Sequence, residues 1–408
     1  MRFAKALLAV IVVACSGGGS TGSGVLGTPT GVVATRGPQY VDLTWIAAEN
    51  AQSYVVEVAS GTAFVQLATS NKTTVRIGAS KNFRSIDWYT LRVRSVSGAK
   101  KSDPSETVES APCDDMFCID ARTKLDASEV LTFTKLDAGV VAVGARAGNT
   151  VAFRSTDGGK TWPESTVAPS KPSVGGSFRV AAARGVALFA RGAELLRTTD
   201  AGTTFTVVDL PSAPAGLNAS LWEDGTSFQL VRVGSGSRTL WSSPDGSTWT
   251  SAACAACADA VTFGAGKLVG LAYEGLSTQK YWVATAAAST PSQWTNVVQL
   301  GVTNTPSGDT LATSLATFAW QSSPWHLVRT TDGSQFTDVP GLGTYATVFF
   351  DGDRVNAYRA LDGSHATSAD GGTSFTPVTV DGGVTRWLRM GDRYVVLGTS
   401  GVYGATPL

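Results

Sequence analysis

Apolar and polar residues alternate with a period of two along most of this chain. Before residue 112 the apolar members of three such blocks are Val41, Leu43 and Trp45, then Tyr54, Val56 and Val58, then Tyr89, Leu91 and Val93. Successive side chains of a strand point to opposite faces, so this alternation indicates strands with one buried face. The chain has 45 glycines, and turn segments such as "RGPQ" and "SVSGAKKSDPS" separate the blocks. The pattern therefore predicts an all-β protein built from short strands and tight turns.

The segment 28–112 has the length and turn spacing of a small β-sandwich. It resembles a fibronectin type III domain in the opening "PTGVVAT", in Trp45 of "VDLTWIA", in Tyr54 of "SYVVEVAS" and in the closing "WYTLRVRSVSGAKKSDPSETVES". The resemblance implies that Trp45 packs between two sheets and that Tyr89 makes a corner hydrogen bond. The segment has no cysteine, which disfavours an immunoglobulin domain. We expect this domain to act as a spacer.

A short motif recurs through the rest of the chain. It reads "FRSTDGGKTWPE", "RTTDAGTTF", "SSPDGSTW", "RTTDGSQF" and "TSADGGTSF", and a sixth copy, "ASTPSQW", lacks the aspartate. The closing aromatic residues Trp162, Phe205, Trp249, Trp294, Phe336 and Phe375 are 43, 44, 45, 42 and 39 residues apart. A period of 40 to 45 residues made of short strands is typical of a β-propeller with one four-stranded blade per repeat. Residues 113–408 are therefore predicted to form a propeller.

The blade count follows from the second strand of each unit. Seven such strands are found: "VVAVGA", "VALFAR", "FQLVRV", "KLVGLAY", "TSLATFAW", "RVNAYRA" and "RYVVLGT". The seventh unit stops after its third strand, which would leave an open sheet edge. We expect a strand within residues 117–126 to pair near Val402 to Ala405 and to close a seven-bladed ring. Six blades is the alternative.

The recurring motif, called the repeated turn below, resembles the Asp-box or BNR repeat of sialidases and related propellers. Its members here are Ser155, Asp157, Gly159 and Trp162; Thr198, Asp200, Gly202 and Phe205; Ser243, Asp245 and Trp249; Thr330, Asp332 and Phe336; and Ser368, Asp370, Gly372 and Phe375. Asp, Ser and Thr side chains bond nearby backbone groups, Gly supplies positive φ, and the aromatic ring covers the turn. The resemblance implies a position between the third and fourth strands, away from the central funnel. We therefore predict a structural role.

The N-terminus has the features of an export signal. Arg2 and Lys5 precede an apolar run, Ala6 to Ala14, that is too short to span a bilayer. The sequence "VVAC" resembles a bacterial lipobox, so residues 1–14 are predicted to be a signal peptide and Cys15 the lipidated residue that anchors the chain to a membrane; a plain secretory signal is the alternative. Residues 15–27, rich in Gly and Ser, predict a flexible tether. By analogy with lipoproteins, Ser16 suggests the outer membrane.

Four further cysteines, Cys113, Cys118, Cys254 and Cys257, remain in the predicted mature chain. An even count in an exported protein favours disulfides, and two local pairs are the simplest of three possible connectivities. "CAAC" at 254–257 also has the form of redox and zinc motifs, but the sequence around it shows no βαβ pattern and no second ligand pair. We therefore expect a loop staple.

Charge and motif content bear on function. Basic and acidic residues each number 32, so no net positive charge favours nucleic acid, and we predict no nucleic-acid partner. We also predict no cofactor and no metal. A sialidase would need an arginine cluster, a Tyr–Glu pair and an acidic proton donor. No Arg-Ile-Pro tripeptide is present, and we interpret the propeller arginines as solvated strand residues. They are Arg146, Arg154, Arg179, Arg232, Arg329 and Arg389.

Other candidate groups also have structural interpretations. Asp351 and Asp353 of "FFDGDRV" could serve a two-aspartate glycosidase, but a "DGD" hairpin turn is favoured. The two histidines, His326 and His365, lie far apart in strand-like segments and form no metal pair or triad. Five tryptophans in predicted strands are expected to be core residues: Trp241, Trp282, Trp320, Trp325 and Trp387.

The leading hypothesis is a non-catalytic, lipid-anchored envelope protein whose propeller binds a protein or glycan ligand through its funnel face. One alternative is a carbohydrate-active hydrolase of the sialidase-like propeller class. Another is an assembly factor for an envelope complex.

Overall fold

The computed structural model describes most of the chain after the N-terminal segment. The described residues are 25–80, 83–120, 123–125, 129–136, 139–168, 179–210, 217–234, 237–274, 279–303, 308–322, 325–339, 342, 347–359, 362–380, 383–399 and 401–408. The predicted signal peptide and Cys15 lie outside them. Among these residues, none form a helix with the length and apolar character needed to cross a membrane.

The chain divides into two compact units. The first holds the described residues up to Ala34, together with Leu43–Val75 and Thr90–Val108. The second holds Thr35–Asp42, Arg76–Tyr89 and Glu109–Leu408.

Eight strands precede the propeller. They are β1 (Thr30–Gly37), β2 (Tyr40–Ile46), β3 (Ser53–Ser60), β4 (Ala63–Ser70), β5 (Thr74–Gly78), β6 (Tyr89–Ser97), β7 (Lys100–Lys101) and β8 (Val108–Ser110). One sheet has the order β1-β2-β5, and the other has the order β4-β3-β6-β7 with β8 paired to β6. Two sheets with these strand orders make the fibronectin type III-like sandwich that the alternation predicted.

The aromatic residues named in the sequence take the expected places. The rings of Trp45 on β2 and Tyr54 on β3 meet edge to face with centroids 5.2 Å apart, so they join the two sheets of the sandwich. Leu43 on β2 and Leu91 on β6 are fully buried. At the start of β6, Tyr89 Oη accepts a hydrogen bond from Arg84 N at 2.8 Å. This is the corner hydrogen bond that the resemblance implied.

The described residues after Cys113 form 28 strands in seven groups of four. Blade 1 contains β10 (Glu129–Leu136), β11 (Gly139–Arg146), β12 (Asn149–Ser155) and β13 (Glu164–Ala168). Blade 2 contains β14 (Arg179–Ala183), β15 (Val186–Arg191), β16 (Glu194–Thr198) and β17 (Thr204–Val207). Blade 3 contains β18 (Leu217–Glu223), β19 (Phe228–Gly234), β20 (Ser237–Ser243) and β21 (Thr250–Ala253). Blade 4 contains β22 (Asp259–Gly264), β23 (Lys267–Glu274), β24 (Gln279–Ala286) and β25 (Thr295–Thr303).

The last three groups complete the ring. Blade 5 contains β26 (Gly308–Ala312), β27 (Thr317–Ser322), β28 (Trp325–Thr330) and β29 (Thr337–Asp338). Blade 6 contains β30 (Thr347–Asp351), β31 (Arg354–Arg359), β32 (Ser364–Ser368) and β33 (Thr376–Val378). Blade 7 contains β34 (Val384–Met390), β35 (Arg393–Gly398), β36 (Gly401–Pro407) and β9 (Phe117–Asp120). In the described residues the strands of each blade pair in that order, and a parallel pairing of β13 with β17 joins blades 1 and 2.

Blade 7 is composite, as predicted. Strand β9 pairs antiparallel with β36, so that Ile119 lies opposite Ala405 and Asp120 opposite Gly404. Just beyond β9, Leu125 N donates to Val402 O at 2.9 Å. The first propeller strand therefore satisfies the sheet edge left open by the last one, and the seven-bladed form is confirmed over the six-bladed alternative.

The core lies between neighbouring blades. In one cluster Val141 and Val143 of blade 1 pack with Phe189 and Phe205 of blade 2. Such a face needs large apolar side chains on both sheets, which explains the continuous apolar second strands. Three of the five tryptophans expected in the core, Trp241, Trp320 and Trp387, are buried, and Trp282 is half-buried. The side chain of Trp325 lies outside the described part of the structure.

Candidate functional site

The repeated turn connects the third and fourth strands of a blade, and its aspartate organises it. Asp157 Oδ1 accepts hydrogen bonds from Ser155 Oγ at 2.9 Å and from the backbone N of Lys160 and Thr161 at 3.0 Å each. Gly159 N donates to Ser155 Oγ at 2.8 Å. Partial burial alone would raise the pKa of the Asp157 carboxyl, but these hydrogen bonds lower it below its usual value. Asp157 is thus an ionised acceptor inside its own turn.

A hydroxyl residue that the motif did not single out completes the turn. Thr161 Oγ1 donates to Asp157 Oδ2 at 2.6 Å, and Thr204 Oγ1 donates to Asp200 Oδ2 at the same distance. Ser374 does so for Asp370, and in the shorter turn of blade 3 Ser247 does so for Asp245. Both carboxylate oxygens are therefore engaged in these four turns. The signal was present in the sequence as a Thr or Ser just before the closing aromatic residue, or two residues before it in blade 3.

The repeated turn also packs against the preceding blade. A Cβ placed on Gly202 of blade 2 would lie 2.2 Å from Val141 Cγ2 on β11 of blade 1. One on Gly159 of blade 1 would lie 2.8 Å from Gly404 Cα of blade 7. Gly202 and Gly159 have positive φ values of 88° and 81°. At each of these glycines the backbone therefore both turns and comes close to the sheet of the preceding blade. The repeated turns thus lie at the seams between blades.

The cysteines form two local disulfides, Cys113–Cys118 and Cys254–Cys257. The second lies in the connection from β21 of blade 3 to β22 of blade 4, where Cys257 N donates to Cys254 O at 3.2 Å. Both of its cysteines are buried. It therefore staples a turn between two strands, without the helix that a thioredoxin-like site requires.

The six arginines make separate contacts, and the interpretation of all of them as solvated strand residues was wrong for Arg232, which is buried. Arg146 pairs with Glu164 at 2.6 Å on β11 and β13, with over two-fifths of each side chain exposed. Arg232 Nη2 donates to Ala193 O at 2.8 Å, and Arg329 Nη1 donates to the carbonyl of Gly371 in the turn of blade 6. The backbone N of Arg154 donates to Pro163 O, and the backbone N of Arg389 donates to Asp351 Oδ1. The side chain of Arg179 forms an ion pair with Asp309.

The acid pair considered for a glycosidase lies at a hairpin. Asp351 and Arg354 are opposite each other in the strand register, at the two ends of the two-residue turn between β30 and β31. Its Oδ1 accepts from Arg389 N of blade 7 at 2.7 Å, so it links two blades. Burial raises the pKa of the Asp351 carboxyl, and the Arg389 hydrogen bond and charge oppose that shift. Asp353 accepts a hydrogen bond from Ser314 Oγ.

The two histidines are in different settings. On β28, His326 Nε2 lies 2.9 Å from Asp338 Oδ1, and Nδ1 lies 2.7 Å from Leu300 O. Partial burial would lower the pKa of His326, but these two bonds raise it above its usual value. On β32, His365 is 1% exposed and packs against Tyr358 and Trp387. Burial lowers the pKa of His365 to about 4.

The centre of the propeller holds a charged cluster that sequence reasoning missed. The first strand of each blade is the innermost, since β14 contacts β18, β18 contacts β22, β22 contacts β26, and β34 contacts both β30 and β10. Arg179 opens β14 of blade 2, and its Nη1 forms an ion pair with Asp309 Oδ2 on β26 of blade 5. Two blades separate them on one side of the ring and three on the other. A direct pair between such blades has to cross the central channel.

A second arginine, Arg386, lies on another innermost strand. Arg386 on β34 of blade 7 places its guanidinium carbon 5.1 Å from the centroid of the Phe133 ring on β10 of blade 1. Burial lowers the pKa of Arg386, and the Asp309 carboxylate opposes that shift. We call Arg179, Asp309 and Arg386 the channel cluster. An ion pair that is partly solvent-accessible and surrounded by strands is suited to hold or exchange an ionic ligand.

Comparisons with known proteins give no family for this chain. No protein-family model matches the sequence, and no curated protein sequence matches it either. Among solved structures, the chain is similar to YCF48 from Cyanidioschyzon merolae, with 17% identity over 70% of this chain and 97% of that chain and a TM-score of 0.44. It is similar to BamB from Moraxella catarrhalis, with 12% identity over 69% and 94% of the two chains and a TM-score of 0.37.

A third likeness concerns the sandwich. The fibronectin type-III domain of human fibronectin type III domain containing protein 3 is 25% identical over 24% of this chain and 94% of that chain, with a TM-score of 0.19. The fold assignment rests on the strand order and register of the chain itself: a fibronectin type III-like sandwich followed by a seven-bladed β-propeller.

Proposed function

We propose that this chain is a lipid-anchored protein of the bacterial envelope whose propeller binds a protein or glycan ligand through the central channel. In this proposal the repeated turns are Asp-box repeats that support the blades. The sandwich and the Gly/Ser-rich tether separate the propeller from the outer membrane to which Cys15 is attached.

The channel cluster is the observation that supports a binding role. Arg179, Asp309 and Arg386 come from three different blades, and the paired Arg179 and Asp309 are 130 positions apart in the chain. About a third of the Arg179 and Asp309 side chains is exposed, so a ligand can reach them. Partly desolvated charges of this kind discriminate strongly between ligands, because a wrong partner leaves them unpaired.

Affinity capture tests the binding role. The mature chain with Cys15→Ser, immobilised, is exposed to detergent-solubilised envelope extract and to a glycan array, beside Arg179→Gln and Arg386→Gln variants. We expect one protein or one glycan class to be retained at a stoichiometric level and lost in both variants. Arg146→Gln, at an exposed peripheral pair, is the matched control and should retain it. Retention that is equal in all four proteins would contradict binding through the channel.

The same samples separate the alternatives. Turnover of a fluorogenic sialoside or of a bacterial polysaccharide would replace the binding role with that of a hydrolase. Recovery of a defined membrane complex at one copy per chain would specify an assembly factor. For the anchor, metabolic labelling with a fatty acid should label the native chain and not Cys15→Ser.

A further inference from the structure

Blade 4 departs from the regular repeat in three respects. Its turn "ASTPSQW" closes at Trp294 without the aspartate. Its fourth strand, β25, has nine residues, whereas the described fourth strands of the other blades have two to five. The connection that leads into it from blade 3 carries the Cys254–Cys257 disulfide. Departures from local rules are expected at functional sites, so their coincidence points to a site on blade 4.

All three features border one cavity of about 460 Å³, a volume within the range of small-molecule sites. Its lining includes Arg238, Ala255, Ala256, Cys257, Trp294 and Asn296. The described lining residues lie on β20, on β23, in the disulfide loop and at the start of β25, and none of them lies on an innermost strand. The cavity is therefore separate from the channel cluster.

The indole of Trp294 forms a fixed apolar side of the cavity. Its Nε1 donates to Pro291 O at 2.8 Å. At the other end of the ring, a Cβ placed on Gly270 of β23 would lie 3.0 Å from Trp294 Cζ3, so the lack of a side chain at Gly270 admits the indole. Trp294 also packs against the buried cluster that contains Cys254 and Cys257, and it stays partly exposed. The ring is thus held in place and offers part of its surface to a ligand.

Polar groups stand beside this ring. Arg238 on β20 donates from Nη1 to the carbonyl of Cys257, which fixes the guanidinium at the cavity. Asn296, two residues after Trp294, is exposed and lines the same cavity. An amide side chain both donates and accepts hydrogen bonds, and a guanidinium donates several. The cavity therefore combines an apolar plate with donors and an acceptor at its rim.

This combination specifies an amphipathic, uncharged ligand. A hexopyranose ring presents C–H groups on one face and hydroxyl groups around its edge, so it can cover the indole while its hydroxyls bond the rim. A purely aromatic ligand would bury the Asn296 amide and the Arg238 guanidinium without new partners, which is unfavourable. A cation would meet the positive charge of Arg238, and the described lining residues include no acidic side chain to hold it.

We propose that this cavity, called the Trp294 pocket below, binds a neutral hexopyranose unit of a glycan. The sugar face stacks on Trp294, and the sugar hydroxyls bond Asn296 and Arg238. The disulfide holds the segment of Ala255 and Ala256 as the small-residue side of the pocket. Because the Trp294 pocket lies outside the channel, this inference goes beyond the proposed function and does not depend on it.

Fluorine NMR tests the pocket with simple sugars. The full mature chain with Cys15→Ser is labelled with 5-fluorotryptophan, and the resonance of Trp294 is assigned by its loss in Trp294→Phe. Glucose, galactose, mannose, N-acetylglucosamine and their oligosaccharides are added one at a time. At least one of them should shift that resonance saturably, with a dissociation constant on the order of 1 mM. Sorbitol, which has hydroxyls like those of glucose but no ring, should not.

Variants give a second readout with the sugar that binds. Asn296→Ala, at an exposed position, should weaken binding by about three- to tenfold, the value of one hydrogen bond. Val297→Ala, at an exposed neighbour on β25 outside the pocket, is the matched control and should leave the titration unchanged. Trp249→Phe, at the buried closing aromatic residue of blade 3, should also leave it unchanged.

Each other outcome would overturn the inference. A Trp294 resonance that no sugar of the panel moves, or that sorbitol moves as much as glucose, would refute the pocket. Equal affinities in Asn296→Ala and Val297→Ala would refute the role of the rim. Glucuronate that binds more than about tenfold tighter than glucose would overturn the neutral class in favour of an acidic sugar.

The channel variant Arg179→Gln separates this inference from the proposed function. It should lose the captured ligand of the channel and keep the sugar titration of the Trp294 pocket. Sugar binding that is lost in Arg179→Gln would place the sugar in the channel and overturn the pocket. Sugar binding to the native chain without capture of any partner at the channel would support the pocket and contradict the proposed function alone.

Discussion

Replacement of Gly202 by alanine tests whether the repeated turn holds neighbouring blades together. Gly202 has a φ of 88°, and its added Cβ would lie 2.2 Å from Val141 Cγ2 of blade 1. Real Cβ contacts do not occur at that distance, so either the turn or β11 has to move. Gly148, in the turn between β11 and β12, provides a matched control, because its φ is 78° and nothing lies within 4 Å of its Cβ position.

The expected magnitudes follow from these two environments. Alanine in the left-handed region costs about 1 to 2 kcal/mol at either site. Overpacking at Gly202 adds about 1 to 3 kcal/mol, because a well-packed seam relaxes only in part. Gly202→Ala should therefore destabilise the propeller by about 2 to 5 kcal/mol, and Gly148→Ala by about 1 to 2 kcal/mol.

Guanidinium unfolding followed by tryptophan fluorescence measures both variants. A third protein, Gly202→Ala with Val141→Ala, removes the clashing methyl group. Val141→Ala alone completes the comparison. The double variant should be destabilised by about 1 kcal/mol or more less than the sum for Gly202→Ala and Val141→Ala, because the two residues are in contact. If Gly202→Ala and Gly148→Ala proved equally destabilising, and the double variant were additive, the turn would be only a local device and the seam argument would be wrong.

Three further predictions concern the turn, a buried histidine and the ring closure. Thr204→Val, which loses the 2.6 Å bond to Asp200 Oδ2, should destabilise the chain by about 1 kcal/mol in denaturant titrations, whereas Thr206→Val at an exposed 3.4 Å bond should have little effect. Burial lowers the pKa of His365 to about 4, from about 6.5 for an ordinary histidine, so the unfolded chain takes up a proton first as pH falls through this window. Stability should thus fall by about 3 kcal/mol from pH 7 to pH 4, and His365→Phe should flatten that part of the melting-temperature profile; an unchanged profile would contradict the burial argument. Ile119→Ala, at a fully buried position of β9, should cost about 2 to 5 kcal/mol and increase amide exchange in β36, and exchange that is unaffected there would argue against a composite blade.

Much of the fold was predictable because it depends on short-range pattern. The alternation marked the strands, the 39 to 45 residue spacing marked the blades, and the missing fourth strand of the last unit pointed to residues 117–126. The disulfides Cys113–Cys118 and Cys254–Cys257 were likewise the simplest pairing, since each closes only a short loop. In all these cases the information lies within a few residues or in a regular repeat.

The channel cluster was not predictable in the same way. Arg179 was one of six arginines with equal claims, and Asp309 and Arg386 stand in segments with no motif. The paired residues Arg179 and Asp309 are 130 positions apart. They meet because ring closure brings the innermost strands of distant blades to a common axis, a geometry that no local spacing encodes.

Local periodicity and side-chain chemistry in the sequence were enough to predict the strands, a seven-bladed ring with six blades as the alternative, the composite closure and a structural role for the repeated turns. The close approach of Gly202 to the preceding blade, and the buried Arg386 Nε that has no partner among the described residues, became evident from the assembled ring. Such facts depend on which surfaces meet when seven sheets close into a ring, and the energies of packing and charge there are set by neighbours that are distant in the chain.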